Sequence, residues 1–248
     1  MNVRSAVVRP PDALLTAVAA TLAILIAELD RPGRALAADS FSACFQGDRL
    51  SAISNRRVTR GPPSAWALRA IALPSTALVR EVTCPGPAYG LTPSHDGAVL
   101  AALTTDPARV HVWNLARGTY GSLDVGSKAR VGALSPDGGV IVVPTEAGLE
   151  LITVQASSEP IARAASVAAW PSPRGVSFDP QGRYLAVRDA KGMSVCEFAQ
   201  NPPSLRERTR IKGAADAGPW FSPCGTKVVT AERYALLVWD LPTLLGEP

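Results

Sequence analysis

The chain has 248 residues, 47% of them apolar, with 22 prolines and 20 glycines. That apolar share excludes a disordered chain, and so much punctuation excludes a bundle of long helices. The formal charge is only +4, and residues 1–90 carry all of the excess, with ten Arg or Lys against six Asp or Glu; this is too sparse for an extended nucleic-acid groove.

In chain order, the first feature is "ALLTAVAATLAILIA" at residues 13–27, apolar around its whole circumference. Pro10-Pro11-Asp12 is a plausible helix start ahead of it. The run is shorter than the roughly 20 residues of a membrane span. Two readings stay open. Arg4, Arg9 and the "ALA" of residues 35–37 suit a cleaved export signal, although the charged "ELDRPGR" between them does not. Otherwise residues 1–38 are an extension carrying a docking or membrane-surface helix. Contact with a membrane is expected only through residues 13–27.

From residue 39 onward one pattern recurs. "YGLTPSHDGAVLAAL" from Tyr89, "VGALSPDGGVIVV" from Val131, "GVSFDPQGRYLAV" from Gly175 and "GPWFSPCGTKVV" from Gly218 each hold an apolar run, a turn ending in glycine, and a second apolar run. The turn glycines are Gly97, Gly138, Gly182 and Gly225, separated by 41, 44 and 43 residues. A fifth, weaker copy, "ACFQGDRLSAI", precedes them with Gly47 at its turn. A third strand follows in each copy: "SAWALRAI" around Trp66, then "RVHVWNL", "GLELITV", "GMSVCEF" and "ALLVWDL". Polar runs such as "SLRERTRI" at residues 204–211 fit an outermost strand facing solvent. A constant period in this range, built of small sheets with two apolar faces, requires neighbours stacked side by side. The fold class is therefore all-β: a β-propeller of about five four-stranded blades over residues 39–248, either closed or incomplete, preceded by an N-terminal apolar helix. "PTLLGEP" after the last copy is too short for a good outer strand, and "VRSAVVR" at residues 3–9 is a candidate to supply one.

These residues resemble the WD40-repeat β-propeller family. Trp239-Asp240 in "LLVWDL" matches the dipeptide that ends the family's third strand, Trp113-Asn114 is its variant, and "SPDG" at residues 135–138 matches the first turn. The family's Gly-His dipeptide is missing from every copy, so the buried hydrogen-bond set it supplies is expected to be absent. The order of "GDRLSAIS", "LVREVTC", "VHVWNL" and "GVSFDPQGRYLAV" is similar to the WD-repeat proteins of centrosomes and spindle poles, the WRAP-type branch. That resemblance implies a protein-binding scaffold, cytoplasmic and associated with the cytoskeleton at a microtubule-organising centre.

Catalytic chemistry is not legible. The two histidines, His95 in a turn and His111 on a strand, have no nucleophile motif beside them. His111 alternates with Val110 and Val112, which predicts a polar-facing position. "GSLDVGSK" at 121–128 lacks the order of a phosphate loop and reads as a loop between blades. Glu146 and Glu150 lie across a turn without a shared site. Cys44, Cys84, Cys196 and Cys224 form no CxxC pair and read as small apolar strand residues in a reducing compartment. Trp66, Trp113, Trp170, Trp220 and Trp239 could form a ligand platform, but four of them sit within or beside expected strands, where blade packing is the simpler reading. Neither cofactor nor metal is expected, nor a small-molecule substrate. The expected function is a non-enzymatic scaffold binding proteins or peptides through propeller loops. Arg56, Arg57 and Arg60, in the basic loop "SNRRVTRG" of residues 54–61, are the candidate binding residues for an acidic partner surface. The alternative is an exported or cell-surface propeller with a cleaved signal.

Overall fold

The computed structural model describes residues 38–46, 49–57, 66–72, 77–85, 88–105, 107–126, 128–130, 132–155, 161–213, 216–232 and 235–246. The apolar run at 13–27, the candidate strand at 3–9, Gly47 and Arg60 all lie outside them.

Among the described residues, nineteen strands form five antiparallel meanders in which consecutive strands are hydrogen-bonded neighbours. The first sheet holds β1 (Ala38–Gln46), β2 (Arg49–Arg57), β3 (Trp66–Ala72) and β4 (Ala77–Cys84). The second holds β5 (Ala88–Pro93), β6 (Val99–Thr105), β7 (Ala108–Asn114) and β8 (Thr119–Asp124). The third holds β9 (Ala133–Leu134), β10 (Val140–Thr145), β11 (Gly148–Val154) and β12 (Ile161–Val167). The fourth holds β13 (Gly175–Phe178), β14 (Tyr184–Arg188), β15 (Gly192–Gln200) and β16 (Pro203–Lys212). The fifth holds β17 (Ala217–Phe221), β18 (Lys227–Glu232) and β19 (Ala235–Asp240), followed by the short helix α1 (Leu241–Leu245). Each sheet is one copy of the sequence repeat, and each expected third strand is the third strand of its sheet. The only helix among the described residues begins where the Asp240 carboxylate accepts from the Thr243 N–H at 3.2 Å, and ends at Gly246 with φ 72°. Among those residues no helix is long and apolar enough to cross a membrane.

The core lies between sheets. Successive strand residues point to opposite faces, so each middle strand serves two interfaces. On β10, Ile141 and Val143 pack with Val99, Leu103 and Val112 of the second sheet. Its alternate residues Val140 and Val142 pack with Leu185, Val187 and Phe198 of the fourth. On β14, Ala186 joins Met193, Val195 and Val228 at the junction of the fourth and fifth sheets. Leu100, Ala102 and Trp113 meet Cys84 between the first and second. A side chain such as Val142, fully removed from water, contributes on the order of 2 kcal/mol by burial. Innermost strands touch in chain order, β1 with β5, β5 with β9, β9 with β13 and β13 with β17. β1 and β17 stand at the two ends of that series. This is a β-propeller arrangement of blades.

The outer strands match the solvent-facing expectation. β16 holds only intermediate and exposed residues, none of them buried. The run at 121–128 divides differently from the expectation of a loop, because Gly121–Asp124 belongs to β8. Among the described residues the fifth sheet has no fourth strand, and α1 occupies the sequence where one would begin.

The repeat's turns interlock. Gly97, Gly138, Gly182 and Gly225 have φ of 69°, 74°, 71° and 73°, a left-handed conformation that favours glycine. Each donates its N–H to the carbonyl three residues back, at 2.8–3.0 Å. Gly138 also rests against the preceding blade: a Cβ there would lie 2.8 Å from Val99 Cγ2 and 3.2 Å from Ser94 Cβ. The His95 N–H donates to the Pro136 carbonyl at 2.8 Å, tying the second blade's turn to the third's.

Candidate functional site

The turns that carry the glycines build one polar surface from a repeated device. The first residue of each turn is Ser94, Ser135, Asp179 or Ser222. Its side-chain oxygen accepts from the backbone N–H five residues on: Val99 at 2.9 Å, Val140 at 2.9 Å, Tyr184 at 2.7 Å and Lys227 at 3.0 Å. In two turns the serine hydroxyl then donates to a carboxylate two residues later, Asp96 and Asp137, both at 2.6 Å. Those carboxylates also accept the N–H groups of Ala98 and Gly139, at 2.9 and 3.1 Å. The Ser94 hydroxyl and the Ala98 N–H hold Asp96 below the usual carboxylate range. Burial pushes Asp137 upward, and the bonds from Ser135, Gly139 and Gln200 outweigh it and lower it.

In the last turn a thiol takes the carboxylate's position. Cys224 Sγ lies 3.3 Å from Ser222 Oγ and 3.0 Å from Thr226 Oγ1. These hydroxyls bring the thiol down to about 7, because hydrogen bonds favour the thiolate. Cys224 is exposed, in contrast to the expected packed strand residue; Cys84 and Cys196 are buried as expected. Burial, with Glu207 nearby, pushes Cys196 up to about 12. The third position of the serine turn places a polar group beside the hydroxyl, a carboxylate in two turns and a thiol in the last. The alignment of "SPCG" with "SPDG" carries that signal in the sequence.

Two clefts recur beside these turns at equivalent places in the repeat. One, of about 310 Å³, opens between the second and third blades and is lined by Val99, Asn114, Arg117, Asp137 and Gln155. The other, of about 500 Å³, opens between the fourth and fifth blades and is lined by Gln181, Arg183, Tyr184, Cys224 and Pro242. Val99 corresponds to Tyr184 and Asp137 to Cys224, so the same scaffold presents a carboxylate in one cleft and a thiol in the other. A third hollow, of about 510 Å³, lies at the outer end of the second blade, where Trp113 and Tyr120 meet Arg117.

The structure corrects His111. It is 1% exposed, not polar-facing, because its polar partners come from its own sheet: Thr104 Oγ1 lies 3.1 Å from Nε2 and Tyr120 Oη 2.8 Å from Nδ1. Burial, with Arg109 nearby, lowers it to about 4. A second buried network joins the fourth blade. Trp170 Nε1 donates to Ser194 Oγ at 3.1 Å, Ser194 donates to Glu207 at 3.1 Å, and Arg210 pairs with buried Asp189 at 2.5 Å. Trp239 Nε1 donates to Thr230 at 3.2 Å in the fifth. Hydrogen-bond sets are therefore present in the second, fourth and fifth blades without the Gly-His dipeptide, built from other residues. His95 is exposed in its turn, as expected.

Trp220 departs from the blade-packing expectation, being 49% exposed. Glu146 pairs with Lys128 and Glu150 with Arg163, so the two acids serve separate ion pairs. Of the candidate binding arginines, Arg56 and Arg57 end β2, opposite Ala67 and Trp66 of β3. That part of "SNRRVTRG" is strand and not loop, since β2 extends to pair along all of β3. Among the described residues no three His, Cys, Asp or Glu side chains converge as a metal site.

No family model matches the sequence, and no curated protein matches it. The fold has solved counterparts. A protein of unknown function from Desulfotomaculum acetoxidans superposes with a TM-score of 0.66 at 13% identity, covering 86% of this chain and 68% of that one. The β-propeller domain of Cps50 (Swd1) from Myceliophteria thermophila gives 0.58 at 16% identity, covering 83% and 68%. TolB from Acinetobacter baumannii gives 0.53 at 15% identity, covering 82% and 52%. The chain thus spans about two thirds of the first two and about half of the third. At such identities the likeness is one of fold.

Proposed function

We propose that this chain is a non-enzymatic scaffold of WD40 type that binds proteins or peptides through the turn surface of its propeller. One observation carries the proposal: equivalent inter-blade clefts recur beside turns that are locked to their own strands and stacked between blades. A rigid frame with varied side chains in repeated clefts suits recognition of an extended partner, since little ordering cost falls on the frame. The basic residues Arg56, Arg57 and Arg60 are proposed as a second contact, for an acidic partner surface. The resemblance to the centrosomal WD-repeat branch supports a place at a microtubule-organising centre, with anchoring as the role.

Affinity capture from cells, followed by cross-link mapping, tests this. Cross-links are expected at the turn surface, with recovery lost on Arg117→Glu, on Arg183→Glu or on reversal of Arg56, Arg57 and Arg60 to Glu. Equal recovery with every variant would refute it. A fluorescent fusion expressed at native level is expected to coincide with a spindle-pole marker, and a diffuse or surface signal would remove the centrosomal placement.

An export reading stays beside it, on Arg4, Arg9 and the "ALA" of residues 35–37. Sequencing the mature N-terminus separates the two, since a start at Ala38 means export and a retained Met1 or Asn2 means a cytosolic scaffold.

A further inference from the structure

At the end of the innermost strands opposite the glycine turns, arginine recurs at one position of the repeat. The Arg130 N–H donates to the Pro144 carbonyl at 2.8 Å, the Arg174 N–H to the Arg188 carbonyl at 2.6 Å, and the Asp216 N–H to the Ala231 carbonyl at 2.7 Å. Arg130, Arg174 and Asp216 therefore stand at equivalent places, just ahead of β9, β13 and β17. β9 touches β13, and β13 touches β17, so the three follow one another along one inner rim. Arg130 and Arg174 are exposed there. Of the three acceptor residues, only Arg188 carries a charge.

Arg188 is the buried member, 8% exposed. It closes β14, and its side chain crosses to the fifth blade, where Nε donates to the Gly218 carbonyl at 2.9 Å. Its Nη2 donates to the Arg174 carbonyl at 3.4 Å. Gly175 makes the room: a Cβ there would lie 2.5 Å from the Gly218 carbonyl oxygen and 3.6 Å from Arg188 Nε. Burial, with Arg174 and Arg130 nearby, draws Arg188 below the usual guanidinium range, and Asp216 works against them. Three arginines thus share one field with a single aspartate. Two further acids at this end are already taken. Glu146 pairs with Lys128 at 2.6 Å, and Asp189 pairs with Arg210 at 2.5 Å. Among the described residues no carboxylate forms an ion pair with Arg130 or Arg174. Like charges gathered in this way favour an anion between them.

We propose that Arg130, Arg174 and Arg188 form a binding site for a phosphate monoester on the inner rim of the third and fourth blades. Arg188 is already desolvated and held by two carbonyls, so it supplies charge at little ordering cost. Arg130 and Arg174 come from adjacent blades, and a planar guanidinium fork suits two oxygens of one phosphoryl group. A monoanion leaves part of the excess charge unmatched, whereas a phosphate monoester carries close to two negative charges at neutral pH. The site lies at the opposite end of the blades from the turn surface, so it stands or falls separately from partner binding there.

The test is calorimetric titration of the full chain with inorganic phosphate at low ionic strength, with chloride at matched ionic strength as the reference. Saturable binding of phosphate, and none of chloride, is expected. Arg130→Ala and Arg174→Ala, both at exposed positions, are each expected to weaken it about tenfold or more without moving the urea midpoint. Asp216→Asn removes the opposing charge and is expected to tighten binding about fivefold, a gain that a damaged fold would not produce. No saturable binding overturns the site, as does equal binding by the two arginine variants, or unchanged or weaker binding by Asp216→Asn. A phosphoserine peptide library with randomised flanks then identifies the carrier. Enrichment of peptides that bind more tightly than inorganic phosphate assigns the group to a protein partner, and its absence assigns the site to a free phosphate compound.

Discussion

Replacing Gly138 by alanine tests whether the turns hold the blades together or merely connect strands. Two costs are expected. At φ 74° a side chain meets its own backbone, at about 1–2 kcal/mol. The new methyl would also lie 2.8 and 3.0 Å from the Cγ2 and Cβ of Val99, and 3.2 Å from the Cβ of Ser94. These are branched or backbone-anchored atoms of the preceding blade, and accommodating overpacking of this kind costs about 1–3 kcal/mol. Gly118 supplies the control, since its φ is 68° and a Cβ there meets nothing within 4 Å. The unfolded-chain entropy gained by losing a glycine is common to both positions and cancels. Urea unfolding followed by tryptophan fluorescence should therefore show Gly118→Ala destabilised by about 1–2 kcal/mol and Gly138→Ala by about 1–3 kcal/mol more, with similar slopes. Equal losses at the two positions would refute the interlocking of adjacent turns.

Other expectations follow from the same geometry. Alkylation of Cys224 should rise with pH around a midpoint near 7, Ser222→Ala should move that midpoint upward, and buried Cys84 and Cys196 should stay unlabelled in the native state; a midpoint at the ordinary thiol value would refute the turn's role. His111 is lowered in the fold to about 4 from an ordinary 6.5, so its stabilising effect is complete above pH 6.5 and is lost as pH falls towards 4. Urea midpoints between pH 6.5 and 5 should accordingly decline in the native sequence and flatten in His111→Gln; parallel profiles would contradict this. Thr230→Val removes the acceptor of the Trp239 indole N–H and should cost about 1–3 kcal/mol in thermal or urea unfolding. Asp179 is buried, and among the described residues its Oδ2 has no hydrogen-bond partner, so Asp179→Ser, which restores the residue of the sibling turns, should raise the urea midpoint, and a lowered one would count against the equivalence of the turns.

Period, turn and strand type were legible because they depend on local chemistry. Gly97, Gly138, Gly182 and Gly225 mark backbone positions that favour glycine, and they sit in the structure as the spacing requires. The third strands were legible from alternation alone. What escaped was decided by contacts between distant parts of the chain. Alternation placed His111 on a strand but could not say that Thr104 and Tyr120 stand on either side to satisfy it. Trp220 looks like packing in sequence, and its exposure follows from its place on the last described blade. Cys224 was half legible: the repeat aligned it with Asp137, but cysteine's usual apolar behaviour masked the two hydroxyls that hold it. The basic run at 54–61 was assigned by composition to a loop, and pairing along β3 overrode that preference.

The nesting of three turn glycines against the blade before them gives the array a sense of direction. Gly138 leans on Val99, Gly182 on Pro136 and Gly225 on Gln181, always towards the N-terminus. Gene duplication that copied whole sheets would have to recreate such a joint at each new boundary, whereas copying from one glycine to the next carries the joint along intact. Engineered lengthening or shortening of the chain should therefore succeed when cut points fall at the glycines and fail when they fall between sheets.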